Sequence, residues 1–165
     1  MTFIECFDVI INNKLLHTSM NKLDTEKKCI ETTVKSTGPI RILKSDNDIK
    51  LFPLISEVGG HHSIADYCIF TNFGIFICDL KSGKGDKAKN QILNTRLLID
   101  YLISFMKQHY KMEAKFIPEI EYLVFSGIVS KGIAKPKKPT KSSYRGFEYF
   151  ELGCGGTYQL DDFIK

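Results

Sequence analysis

The sequence predicts an α/β fold of the α+β type, a mixed β-sheet carrying at least one helical layer. Three observations lead there. Ile64 to Thr71 and Ile75 to Lys81 are strand-like runs rich in Ile, Phe, Tyr and Cys, split by a short turn around Asn72-Phe73-Gly74, which is the form of a hairpin. From Asp86 to about Tyr110 the apolar period becomes helical, with Ala88, Ile92, Thr95, Ile99, Leu102, Met106 and Tyr110 recurring at steps of three or four. A mostly apolar run then follows at Glu119 to Val129 and reads as a buried strand. A helix between a hairpin and a buried strand is a crossover connection.

The remaining elements are read in chain order. Phe3 to Met20 is apolar-rich but of undecided type, with Asn12-Asn13 as an interruption. Cys29 to Lys35 alternates β-branched and polar residues, and Ile40 to Leu43 follows a Gly38-Pro39 turn; both read as strands. After the turn Asp46-Asn47-Asp48, Ile49 to Ile55 is a further strand candidate that Pro53 disturbs. Gly83 and Gly85 break the second hairpin strand, and Asp86 is the expected N-cap of the long helix. Lys131 to Arg145, with Pro136 and Pro139, reads as a loop, and Phe147 to Leu152 and Thr157 to Leu160 as short strands around Cys154-Gly155-Gly156.

A chain of 165 residues with 43% apolar and 25% charged residues is expected to form one ordinary globular domain, not a disordered chain or a disulfide-dense miniprotein. No apolar run reaches the length of a membrane-spanning helix, and Met1 to Lys14 carries Glu5 and Asp8 in place of a basic leader. Five scattered cysteines (Cys6, Cys29, Cys68, Cys78, Cys154) show no metal-ligand spacing, so reduced thiols and a cytoplasmic location are expected. The formal charge is +4, yet Lys131, Lys135, Lys137, Lys138, Lys141 and Arg145 lie in one acid-free segment; removing them leaves the rest at −2. Such a segment suits a polyanion, and it is equally the composition of a solvated loop.

The residues with chemical potential lie at the hairpin's far end. A two-residue turn at Asn72-Phe73 pairs Phe70 with Ile75 and therefore Asp66 with Asp79, whereas a Phe73-Gly74 turn pairs Asp66 with Lys81. Either register gathers Asp66, Asp79 and Lys81 on one face, and a register of even sum separates them. Two adjacent carboxylates repel; a cation of the magnesium type, which prefers oxygen ligands, neutralises them. Metal and ammonium together supply what phosphodiester hydrolysis needs, a polarised phosphoryl oxygen and an activated water. Asp79-Leu80-Lys81 is also what a plain strand-end ion pair looks like.

Asp66, a gap of 12 residues and Asp79-Leu80-Lys81 resemble the D…(D/E)xK signature of the PD-(D/E)xK nuclease superfamily, the restriction-endonuclease-like proteins. That family's core runs helix, three antiparallel strands, crossover helix, strand, with the first acid early in the second strand and (D/E)xK in the third. The resemblance covers roughly residues 50 to 130. It implies Mg2+ or Mn2+ held by Asp66, Asp79 and the Leu80 carbonyl, with Lys81 activating water or stabilising charge. It also implies an upstream acid, for which Glu57 is favoured over Glu26 and Glu31. Gln91 matches the glutamine some members carry on the crossover helix, while the tyrosine that follows in the exonuclease-type subset is Thr95 here. Two departures are Ala65 in place of proline before Asp66, and Asp79 where glutamate is commoner.

The resemblance implies hydrolysis of DNA, and less readily RNA, in a setting such as defence against foreign DNA. Phosphate contacts fall to Lys84, Lys87, Lys135, Lys137, Lys138 and Lys141. The small chain leaves no room for a recognition domain, so a homo-oligomer or a partner protein would supply specificity. The other reading is a catalytically inactive nuclease fold kept as a nucleic-acid-binding or assembly module. Other features carry less: adjacent His61 and His62 face opposite ways on an extended chain, and Gly83-Lys84-Gly85 lacks the spacing of a P-loop.

Overall fold

The computed structural model describes residues 1–11, 16, 17, 21–23, 32–44, 64–81, 88–128, 141–144 and 146–164. The opening segment begins as a helix, α1 (Phe3–Ile10), because Thr2 and Glu5 form a capping box. The Thr2 hydroxyl accepts from the Glu5 amide at 3.3 Å, and the Thr2 amide donates to the Glu5 carboxylate at 2.8 Å. Short strands β1 (Lys22–Leu23), β2 (Thr32–Lys35) and β3 (Arg41–Lys44) follow. The hairpin is β4 (Tyr67–Phe70) and β5 (Gly74–Lys81), the crossover helix is α2 (Ala88–Tyr110), and the buried strand is β6 (Glu119–Ile128). The chain closes with β7 (Lys141–Tyr144), β8 (Phe147–Cys154) and β9 (Thr157–Gln159).

The expected mixed sheet is present, with six strands in the order β3-β4-β5-β6-β8-β7. β3, β4 and β5 pair antiparallel, β5, β6 and β8 pair parallel, and β7 returns antiparallel at the far edge. A smaller sheet has the order β1-β2-β9.

Side-chain alternation divides the core into two layers. One face of the large sheet, with Cys68, Phe70, Ile75, Ile77 and Val124, packs on Phe3 and Phe7 of α1 and on Ile92, Ile99, Ile103 and Met106 of α2. The other face, with Tyr67, Ile69, Phe76, Cys78, Leu80, Leu123 and Phe125, meets Leu23 and Val34 of the small sheet together with Leu160 and Phe163. Both faces of β4 and β5 are therefore covered, which is why these strands read as continuous apolar runs.

Three details differ from the sequence expectation. The Lys131 to Arg145 segment is not all loop, since Lys141–Tyr144 forms β7 and pairs with Phe147–Phe150. Cys154 is disulfide-bonded, so reduced thiols describe only Cys6, Cys68 and Cys78 among the described cysteines. On α2 the buried stripe includes Ile103, whereas Tyr110, expected in the stripe, is exposed. The strand candidate Ile49 to Ile55 and the N-cap Asp86 lie outside the described residues.

Asp161, just beyond β9, ties the ends of β2 and β9 together. Its carboxylate accepts from the Ser36 hydroxyl (2.8 Å), the Thr37 amide (2.8 Å) and the Gln159 side-chain amide (2.7 Å). Burial pushes this carboxyl up, but those hydrogen bonds outweigh it and leave it below the usual carboxylate range. A depressed folded-state pKa contributes stability that is present above the ordinary carboxylate value and is lost as pH falls through the folded one. Asp161→Ala is therefore expected to cost about 1 kcal/mol at neutral pH, the part-exposed setting keeping the loss modest. Denaturant unfolding at neutral pH and at about pH 2 checks this, since the two proteins should converge in acid.

Candidate metal and nuclease site

The hairpin turn decides the register. Thr71 donates its amide to the Gly74 carbonyl at 2.9 Å, leaving Asn72-Phe73 as a two-residue loop. The Thr71 hydroxyl locks that loop by accepting from the amides of Phe73 (3.2 Å) and Gly74 (2.8 Å). Gly74 is needed there, because a Cβ would lie 2.7 Å from the Phe76 ring. The ladder then runs Phe70↔Ile75, Ile69↔Phe76, Cys68↔Ile77 and Tyr67↔Cys78. Continued by one residue it sets Asp66 opposite Asp79, the first of the two odd-sum registers.

The strands part at this point. Asp66 is a bend immediately before β4, although the sequence placed it within a strand. Its carboxylate takes the place of the missing partner strand, with Oδ2 accepting from the Leu80 amide at 2.6 Å. The Thr71–Gly74 bond turns the main-chain groups of Gly74 toward β4, and alternation along the ladder turns those of Leu80 the same way. The Leu80 carbonyl thus faces the side on which Asp66 lies.

Asp79 shares its face with Ile75 and Ile77 and is fully buried under the helical layer. It stands at the carboxyl end of β5 beside the parallel β6, opposite Val124. In open α/β sheets the carboxyl ends of parallel strands are where ligands bind. The negative field of the pair is felt at Cys78. Burial first, then Cys68, then Asp66 and Asp79 push that thiol well above its ordinary range, so it stays protonated and unreactive.

The crossover helix anchors the entry to this site. Gln91 donates its side-chain amide to the Ile64 carbonyl at 3.1 Å, and Thr95 accepts from the Ala65 amide at 2.8 Å. Thr95 is the residue the sequence reading missed as a site component. The available signal was its place on the buried stripe between Ile92 and Ile99, where a polar group must find a hydrogen bond.

Other expected residues are distributed differently. Lys81 is the last residue of β5, opposite Ser126 of β6. Lys141 donates to both oxygens of the nearly buried Glu121 (3.0 and 2.9 Å) and lies over the Phe150 ring, so it acts within the sheet. Glu57, Lys84, Lys87, Lys135, Lys137 and Lys138 lie outside the described residues. Arg96 ties α2 to the sheet through the Tyr122 hydroxyl at 2.9 Å, while Asp100, one turn further along the same helix, holds its guanidinium at 2.9 Å.

The donor set near Asp79 suits a hard cation. Among the described residues no group of three or more His, Cys, Asp or Glu is gathered to hold a metal. Magnesium does not require one, because it is commonly held by one or two carboxylates and keeps several waters. Asp66, Asp79 and the Leu80 carbonyl are oxygen donors of the kind such a cation takes, and they differ from the thiolate and imidazole donors that zinc favours. A cavity of about 520 Å³ lies at the opposite, turn end of β5, among Phe3, Phe73, Phe116 and Ile164. Its single carboxylate, Glu119, makes it no rival for cation chemistry. No family model, curated protein or solved structure matches the chain.

Proposed function

We propose that the protein is a metal-dependent nuclease with a restriction-endonuclease-like core, hydrolysing phosphodiester bonds in DNA. The observation that carries this reading is the Phe70↔Ile75 register, which sets Asp66 opposite Asp79 where β4 leaves β5. The order of elements supports it. A helix (α1), three antiparallel strands (β3, β4, β5), a crossover helix (α2) and a parallel strand (β6) occur in the order that the resemblance implies, with β1 and β2 inserted after α1.

In this reading Asp66, Asp79 and the Leu80 carbonyl hold Mg2+ or Mn2+. The bound cation would neutralise the phosphodiester and lower the pKa of a water. Lys81, two residues beyond Asp79, takes or stabilises the charge that develops on that water and on the phosphate. Asp66 also holds the Leu80 amide, so the carboxylate that would ligate the cation fixes the strand end as well. Lys84, Lys87, Lys135, Lys137 and Lys138 meet the phosphate backbone.

Lys141 is paired with Glu121, so it contributes little of this positive field. Replacing Lys135, Lys137 and Lys138 together by alanine is expected to reduce the log–log salt slope of duplex binding by about 0.9 per lost phosphate contact. Filter-binding across a salt series reads that slope, and an unchanged value assigns the segment to solvation alone.

The reading itself is tested by incubating the purified protein with single- and double-stranded DNA and RNA, in Mg2+, Mn2+ or a chelator. Cation-dependent cleavage of DNA is expected. Metal-insensitive binding without cleavage would instead identify an inactive nuclease fold serving as a nucleic-acid-binding module.

A further inference from the structure

Thr95 and Gln91 stand one helical turn apart on the face of α2 that meets the start of β4. Thr95 is fully buried. Its hydroxyl donates to the Gln91 carbonyl at 2.7 Å, the usual back-bond of a helical threonine, and this aims its lone pair at the Ala65 amide at 2.8 Å. Gln91 completes the grip through its side-chain nitrogen on the Ile64 carbonyl at 3.1 Å. That contact fixes the amide's orientation, since the flipped form would set oxygen against oxygen. The remaining Gln91 oxygen is buried without a hydrogen-bond partner among the described residues, a cost the helix bears to make the other contact.

Two of these bonds grip both ends of one peptide group, the carbonyl of Ile64 and the amide of Ala65, and the next residue is Asp66. Ile64–Ala65 has already left the ladder with β5, whose last pair is Tyr67↔Cys78, and Leu80 bonds the Asp66 side chain, so the helix supplies the hold on this segment. We propose that Thr95 is a positioning residue, with Gln91 as its second point. Together they form a helical clamp that sets the backbone of Asp66 and so holds its carboxylate against Leu80 and opposite Asp79. The relevance of the clamp to a cation rests on the nuclease reading; its effect on Asp66 and Leu80 does not.

The test compares Thr95→Val, which keeps the shape and removes the hydroxyl, with Thr95→Ser, which keeps the hydroxyl. In the metal-free protein, NMR reads the Leu80 amide, whose shift follows ionisation of its Asp66 acceptor, together with its hydrogen exchange. Mn2+ affinity is measured separately by titration. In Thr95→Val the Leu80 amide should lose the pH-dependent shift that reports Asp66 and exchange faster, and Mn2+ affinity should fall about 10–100-fold, as for other supporting residues of metal sites. Thr95→Ser should restore both.

A folded Thr95→Val protein with an unchanged Leu80 amide overturns the clamp. If Thr95→Val folds poorly, Gln91→Leu removes the other point at a half-buried position and must loosen Leu80 in the same way; an unchanged Leu80 there also overturns it. Absence of Mn2+ binding in the wild type would count against the nuclease reading alone, because the Leu80 amide still decides the clamp.

Discussion

Lys81→Ala is expected to keep its affinity for Mg2+ or Mn2+ and to lose about a thousandfold in hydrolysis, within the range that removal of a positioned proton-transfer group produces. The reason lies in when the ammonium acts. In the proposed site Asp66, Asp79 and the Leu80 carbonyl are the cation's donors, so deleting Lys81 removes no ligand and takes away a positive charge that would repel a divalent ion. Charge on the attacking water and on the phosphate grows only toward the transition state, where that ammonium is needed. Cation titration paired with single-turnover cleavage separates the two effects. A folded Lys81→Ala protein that cleaves at the wild-type rate contradicts the assignment. Equal loss of cation affinity would make Lys81 a structural counter-ion of the carboxylates.

Asp79→Asn is expected to remove the cation's effect on stability. In the proposed site Asp79 is a buried ligand at the carboxyl end of β5, and the nearly isosteric amide keeps its shape while giving up the charge that draws a divalent ion. At a concentration a hundredfold above its Kd the ion stabilises the wild type by about 2.7 kcal/mol, and the variant should gain almost none of this. For a chain of this size each kcal/mol is about 2–4 °C in Tm. Thermal unfolding of both proteins with Mg2+ and with a chelator gives all four values. A variant that gains as much from Mg2+ as the wild type would show that Asp79 is no cation ligand.

The parts of the fold written in apolar periodicity were legible in the sequence. β4, β5, α2 and β6 lie close to their expected ranges because each buries a face against the core, and burial leaves a period of two or near 3.6. The capping of α1 was written in Thr2-Phe3-Ile4-Glu5, a capping-box spacing, although the apolar content of the following residues left the element's type open. β7 could not be read this way. Lys141-Ser142-Ser143-Tyr144 is a polar edge strand without apolar alternation, and its pairing with β8 is what defines it.

The candidate site was legible as residue types and not as geometry. Spacing singles out Asp66, Asp79 and Lys81, but it leaves two odd-sum registers and an even-sum one open, and the choice rests on the Thr71 hydroxyl bonding Phe73 and Gly74. Lys141 was read as one member of a basic run because Glu121 is 20 residues away in the chain. Only the sheet order β6-β8-β7 brings that carboxylate within reach. Thr95 was hidden for a similar reason, since its partner Ala65 comes from the far side of the hairpin.

If one cation sits between Asp66 and Asp79 as proposed, substoichiometric Mn2+ will broaden the backbone amides around that pair by paramagnetic relaxation. Leu80 should broaden first, together with Ala65 on the opposing segment. Gly74, six residues back along β5 and therefore about 20 Å away, should keep its signal at the same Mn2+ concentration. Equal broadening along β5, or loss at Gly74 before Leu80, would contradict a cation site at the carboxylate pair.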